Sequence, residues 1–161
     1  MATEIERKFL VVNDGWRGAV QRRARYRQGY LASGPASSVR IRTSEDGAWL
    51  NIKGATLGVR RSEYEYPIPL TDADEMLDEL CDGALIEKTR YFVEHQGKIW
   101  EIDVFDGAND GLVVAEIELG SEDEVFARPD WLGEEVSHDL RYYNVSLVNH
   151  PYSSWGRGHG D

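Results

Sequence analysis

Charged residues recur two apart in six separate stretches of this chain. The pairs are Glu4/Glu6, Arg40/Arg42, Glu63/Glu65, Lys88/Arg90, Glu101/Asp103 and Glu116/Glu118, and Lys8 continues the first of them. A spacing of two is the period of a β-strand, whose successive side chains point to opposite faces. Each pair therefore shares a face, while neighbours such as Ile5, Phe9, Ile41, Ile102 and Ile117 take the other. One strand of this kind is ordinary, with its polar face in water and its apolar face on the core. Six of them, with acids and bases segregated into separate pairs, suggest charged faces that meet one another.

The rest of the chain supplies strands enough for such a meeting. Strands are predicted over residues 3–12, 22–31, 38–43, 48–53, 60–68, 85–94, 99–105 and 112–119, eight in all. Asp46-Gly47 and Gln96-Gly97 mark tight hairpin turns, so the strands run mainly antiparallel. Thr71-Asp72-Ala73-Asp74 reads as a capping box opening a helix, with Ala73, Met76, Leu77 and Leu80 on one face and Gly83 as its C-terminal cap. A short second helix is expected from Ser121-Glu122-Asp123-Glu124, and a third over 137–148, with Leu140, Tyr143, Leu147 and Val148 on one side. Residues 1–150 read as a single domain, and the Gly- and Ser-containing stretch 151–161 as a mobile tail.

Eight antiparallel strands close most economically into a barrel, which removes exposed edges. If the apolar faces pointed inward, the charged pairs would coat the surface. That arrangement would leave the apolar helix faces without a partner, and solvated faces seldom sort acids from bases strand by strand. The alternative is an α+β fold in which an eight-stranded antiparallel closed β-barrel forms a tunnel with a charged interior and the helices pack outside. Charges in such a tunnel are costly unless paired. The surplus beyond pairing suits a divalent cation on the carboxylates and a polyanion on the bases, since hard cations such as Mg²⁺ or Mn²⁺ take oxygen ligands and share phosphate oxygens, and arginine grips phosphate bidentately.

Composition narrows the setting. The 161 residues are 41% hydrophobic and 29% charged, which is globular. The net charge of −11 argues against nucleic acid as a partner, without opposing a small anion held in a locally basic site. A single cysteine, Cys81, leaves no intrachain disulfide and suits a reducing compartment. No apolar run of signal-peptide or membrane-span length occurs, so a cytoplasmic protein away from membranes is expected.

Glu4-x-Glu6-x-Lys8 resembles the N-terminal motif of the CYTH superfamily, the triphosphate tunnel metalloenzymes. Further pieces follow in family order: Arg27-Gln28-Gly29-Tyr30-Leu31, Val39-Arg40-Ile41-Arg42, Ile52-Lys53, Arg61-Ser62-Glu63-Tyr64-Glu65, Glu87-Lys88-Thr89-Arg90-Tyr91, Glu101-Ile102-Asp103 and Glu116-Ile117-Glu118. The likeness runs from residue 3 to about residue 147 and is nearest to short bacterial tripolyphosphatases.

The resemblance implies that Lys8, Arg40, Arg42, Lys53, Arg61, Lys88 and Arg90 bind phosphate, with Lys53 or Arg61 alternatively balancing nearby acids. It makes Glu4, Glu6, Glu63, Glu65, Asp103, Glu116 and Glu118 metal candidates, too many for one ion. Either two sites exist or some acids hold the bases in place, with Glu4, Glu6, Glu116 and Glu118 the favoured direct ligands and Glu101 structural. Lys8, Lys88, Arg90 and Tyr30 are the expected catalytic residues. A tyrosine titrates near ~10, and surrounding bases favour its anion; Tyr30 is thus a base, or else a hydrogen-bond donor to phosphate. The implied activity is Mg²⁺- or Mn²⁺-dependent hydrolysis of a triphosphate, inorganic tripolyphosphate first. Alternatives on the same fold are a class IV-type adenylate cyclase and a nucleoside or thiamine triphosphatase; a non-catalytic polyphosphate-binding module is the third.

Overall fold

A computed structural model describes residues 3–54 and 59–155. The strands are β1 (Thr3–Val11), β2 (Val20–Ser33), β3 (Ser37–Ser44), β4 (Gly47–Gly54), β5 (Arg60–Ile68), β6 (Asp82–His95), β7 (Lys98–Phe105), β8 (Val113–Glu118) and β9 (Leu132–Glu135); the α-helices are α1 (Leu70–Glu79) and α2 (Asn144–Leu147). The strands are ordered β5-β4-β3-β2-β6-β7-β8-β1-β9, and β1 also pairs with β5. That last pairing, Thr3↔Ser62 to Ile5↔Arg60, closes eight antiparallel strands into a barrel. The ninth strand, β9, lies on the same edge of β1 further along, with Phe9 opposite Glu135. Its Leu-Gly-Glu-Glu sequence has no alternation, so nothing local announces it.

Both faces of the barrel wall are buried. On the outside, Phe9, Trp100, Ile102 and Ile117 form a core capped by Trp16 and Trp131. The rings of Phe9, Trp100, Phe126 and Trp131 meet edge to face at 5.5–6.0 Å. On another outer face, Ala73 and Leu77 of α1 pack on Ile41 and Ala48. The third cluster lies inside. Tyr30, Ile86, Phe105 and Val114 continue the inward parity of Gln28, Lys88, Asp103 and Glu116, and Leu147 and Val148 pack against them. One end of the tunnel is therefore an apolar plug, and the charged stretch lies beyond it.

Several local expectations give way to tertiary contacts. Helix α1 starts at Leu70 with Pro69 as its N-cap and no side-chain cap bond, so the Thr71 box is inside the first turn. Leu80, not Gly83, caps its C-terminus. Gly83 belongs to β6 at φ +72°, where a Cβ would stand 2.9 Å from the Val148 carbonyl oxygen. No helix forms at Ser121: Gly120 donates its N–H to Glu124 at 2.6 Å, Lys98 also pairs with Glu124, and the chain then runs extended to lay Phe126 on Phe9.

The expected helix over 137–148 is reduced to a 3₁₀ turn, Leu140–Tyr142, and the single turn α2. Ser137 accepts the Lys8 N–H at 2.9 Å, and Val136 donates to the Lys8 carbonyl at 2.8 Å, which ties this segment to β1 instead. The expected mobile tail is ordered as far as Trp155, whose ring meets Tyr142 and Tyr152 at 5.1 and 5.0 Å; residues 156–161 lie outside the described residues. Among the described residues, no helix is long and apolar enough to cross a membrane.

Candidate active site

The charged stretch encloses a cavity of about 270 Å³. Every strand of the barrel except β2, which contributes Tyr30, presents charge to it, because the period-two spacing keeps each pair on the inward face. Lys8, Arg40, Arg42, Lys53, Arg61 and Arg90 line it, as do Glu4, Glu6, Glu63, Glu65, Glu116, Glu118 and Tyr30. Lys88 and Asp103 do not. Both are 0% exposed and bonded to each other at 2.7 Å inside the barrel, between the cavity and the apolar plug. Four further lining residues come from the C-terminal segment: Ser137, Tyr143, Asn144 and Val145. The sequence carries no local mark of their place, since only the packing of that segment into the barrel brings them in.

Strand register decides which acid meets which base. Arg90 is opposite Asp103 and donates to both its oxygens, at 2.7 and 2.9 Å. It also reaches Glu101 at 2.9 Å and Glu116 at 3.2 Å. Burial works against that guanidinium's charge, but Asp103 and Glu101 hold its pKa well above the usual value. Glu4 is drawn to Arg61 at 3.1 Å and Lys53 at 3.5 Å. Lys8 pairs with Glu116 at 3.4 Å and donates to the Tyr142 carbonyl at 3.0 Å. Burial pushes the Lys88 ammonium down to about 7 despite the Asp103 carboxylate beside it. Arg40 and Arg42 differ from the rest: among the described residues neither has a carboxylate within 4.0 Å. Burial, with Arg40 and Arg90 nearby, lowers Arg42 to about 10, which leaves it charged at neutral pH.

The carboxylates gather at one point. Glu6, Glu101 and Glu116 each present an oxygen, and the three oxygens lie within 4.8 Å of one another. Glu101 and Glu116 are register partners, which explains how a residue read as structural joins the group. Glu4 is instead committed to Arg61 and Lys53, Glu63 and Glu65 receive the Asn51 amide at 3.4 and 2.9 Å, and Glu118 is exposed at the cavity rim. Burial, with Glu116 and Glu4 adjacent, drives the Glu6 carboxyl well above the carboxylate range. Burial also opposes ionisation of Glu116, yet Lys8, Arg90 and Lys88 bring it well below. The two carboxyls, hydrogen-bonded to each other, are thus pushed in opposite directions, Glu6 toward its neutral form and Glu116 toward its anion. An all-oxygen set of this kind fits a hard divalent cation.

A closed barrel whose inner face joins a carboxylate triad to unpaired guanidiniums defines a polyanion-handling tunnel, and the comparisons agree on its family. The CYTH domain matches residues 2–152, and this chain belongs to that family. It is 46% identical over 155 residues to an inorganic triphosphatase of Acetivibrio thermocellus, covering 96% of this chain and 99% of that one. It is 41% identical over 153 residues to an inorganic triphosphatase of Nitrosomonas europaea, covering 91% and 97%. A crystal structure of an inorganic triphosphatase superposes with a TM-score of 0.66 at 36% identity, over 90% of this chain and 97% of the other. A Hippeastrum protein described as having a dominant triphosphatase activity shares the fold at 16% identity and a TM-score of 0.59, over 73% of this chain and 80% of that one.

Proposed function

We propose that this protein hydrolyses inorganic tripolyphosphate to pyrophosphate and phosphate, with a divalent cation, Mg²⁺ or Mn²⁺, held by Glu6, Glu101 and Glu116. The observation that carries the reading is the pairing, in one cavity, of that carboxylate triad with Arg40 and Arg42, two guanidiniums without an anionic partner among the described residues. A non-catalytic binder of polyphosphate would need the bases and not the triad. The names and near full-length coverage of the two relatives point to the same substrate.

Each residue then has a task. Arg40 and Arg42 dock phosphate oxygens through charge-assisted, bidentate hydrogen bonds. Lys8 and Arg90 stand between the triad and the plug and stabilise charge that develops on the phosphoryl oxygens as water attacks in line. Lys53 and Arg61 hold Glu4 and add positive potential to the wall. The bound cation would neutralise phosphate oxygens and lower the barrier to attack. Asp103 fixes the Arg90 guanidinium from behind. Lys88, near 7, is the buried base able to gain or lose a proton around neutral pH. Tyr30 closes the cavity on the plug side, where its hydroxyl meets the substrate or its proton.

Phosphate release from tripolyphosphate, ATP and thiamine triphosphate tests the reading, each with Mg²⁺, Mn²⁺ or EDTA, with cyclic AMP followed in parallel. Release from tripolyphosphate that requires the cation and stops with EDTA is expected. Equal release from ATP would overturn the inorganic substrate, and cyclic AMP formation would overturn hydrolysis as the reaction.

A further inference from the structure

Two fully buried carboxamides stand opposite the two arginines that have no anionic partner among the described residues. Gln28 on β2 is the register partner of Arg42, and Asn51 on β4 is the register partner of Arg40. Both amides are 0% exposed. Elsewhere in the barrel a buried base is answered by a carboxylate: Lys8 by Glu116, Lys88 and Arg90 by Asp103, Arg61 by Glu4. On β3 the answer is a neutral amide.

The geometry of the Gln28 contact is directional. Its Oε1 accepts from Arg42 Nε at 3.1 Å, and the Tyr26 ring lies 4.4 Å from the guanidinium carbon. A guanidinium held at Nε and stacked on one face keeps its two terminal nitrogens for another partner. Asn51 donates its Nδ2 to Glu65 and Glu63, which leaves its Oδ1 without a partner; Arg40 Nε, on the opposite residue, also has none. The Gln28 Nε2 is likewise unsatisfied. Unpaired polar atoms at full burial are rare in a finished core; of the five among the described residues, three lie on the adjacent strands β2, β3 and β4, and the other two are the Trp16 and Trp100 indole nitrogens of the outer core.

We propose that Gln28, by holding Arg42 at Nε, is a positioning residue that orients it toward the triphosphate, and that Gln28 and Asn51, as the neutral register partners of Arg42 and Arg40, leave both positive charges uncompensated. The inference rests on the polyphosphate reading of the cavity. Its physical basis is the difference between an amide and a carboxylate of the same shape. A carboxylate would take the guanidinium fork bidentately and neutralise it, so that a substrate oxygen would have to displace an internal ion pair. An amide oxygen accepts one N–H and carries no net charge. Orientation is thereby separated from neutralisation, and the charge remains for the ligand.

The test compares Gln28→Glu, nearly isosteric and charged, with Gln28→Met, similar in size and apolar, and adds Asn51→Asp. Calorimetry measures tripolyphosphate binding to the EDTA-treated protein, steady-state kinetics separates KM from kcat, and circular dichroism follows unfolding. Gln28→Glu should weaken binding and raise KM by about tenfold or more, the scale of one charge-assisted hydrogen bond, with a smaller change in kcat. Gln28→Met should raise KM less, in the order wild type, Met, Glu. Asn51→Asp should follow Gln28→Glu. Wild-type binding and KM in both charged variants would overturn the proposal. So would equal damage from Met and Glu with matching losses of melting temperature, which is the signature of packing alone. Should Gln28→Glu not fold, an unchanged KM in a folded Gln28→Met would have the same force. Wild-type protein that binds tripolyphosphate without cleaving it would refute hydrolysis while leaving the binding comparison to decide the role of the amides.

Discussion

Replacing Asp103 by asparagine removes one negative charge from a fully enclosed ion cluster. Asp103 accepts from Lys88 at 2.7 Å and from Arg90 at 2.7 and 2.9 Å, and neither Lys88 nor Asp103 is exposed at all. Breaking a buried pair by removing one partner costs about 3–5 kcal/mol. At about 2–4 °C of melting temperature per kcal/mol for chains near this length, the variant should melt roughly 6–20 °C lower. Arg90 limits the loss, since it keeps Glu101 and Glu116. Lys88 limits it in a pH-dependent way. Burial already holds Lys88 near 7 with Asp103 in place, and without that carboxylate its folded-state pKa must fall further. The unfolded value is about 10.4. Between pH ~5 and 7 the wild-type lysine is then protonated in both states and contributes no slope. In the variant the unfolded state binds the extra proton, so its stability rises with pH by up to ~1.36 kcal/mol per unit. The gap between the two proteins should be widest near pH ~5, narrow toward 7 and stay level above it. Thermal melts by circular dichroism in half-unit pH steps read this directly. A melting temperature within about 2 °C of wild type, or a gap constant across that window, would refute the buried-pair account.

Glu116→Gln should lower tripolyphosphate hydrolysis by on the order of 10²-fold and recover in part at higher Mn²⁺, whereas Lys88→Met, outside the carboxylate triad, should not be rescued by metal; rescue of both would dissolve the distinction. Burial and the neighbouring Glu116 and Glu4 raise the Glu6 carboxyl, so protons compete with a cation for its oxygen. Mn²⁺ affinity by calorimetry should therefore tighten as pH rises through weakly acid values, with proton release visible in buffers of different ionisation enthalpy, and affinity independent of pH would contradict it. Gly29→Ala would place a Cβ 2.7 Å from Leu85 Cδ2 and 2.8 Å from Cys81 Sγ, an overpacking that should cost about 1–3 kcal/mol; an unchanged melting temperature would show that this contact between β2 and the start of β6 is looser than it looks.

The interior of the tunnel was legible because a strand's period is two. Glu4, Glu6 and Lys8 cannot change faces without a register slip that would also expose Ile5 and Phe9, which pack on the outer core. The helices were less legible. A capping box contributes about 1 kcal/mol locally, and Ser121 and Ser137 each follow stronger tertiary contacts. Ser137 bonds to Lys8, and the chain beyond Ser121 delivers Phe126 to Phe9 and Trp100. The Leu132–Glu135 strand has no pattern of its own and exists because the edge of β1 beyond β5 is free to pair.

Parity along each strand is a local property, so the sequence by itself determined which residues face inward, that acids and bases share one interior, and that this interior suits phosphate and a hard cation. Register between strands is not local, and only the closed barrel decided the pairings. It joined Glu101 to Glu6 and Glu116 while committing Glu4 to Arg61 and Lys53. It withdrew Lys88 and Asp103 from the cavity into a fully buried pair and set neutral amides opposite Arg40 and Arg42. A ligand set needs oxygens within a few ångströms of one point, and that distance is set by strand tilt and closure across residues more than a hundred positions apart.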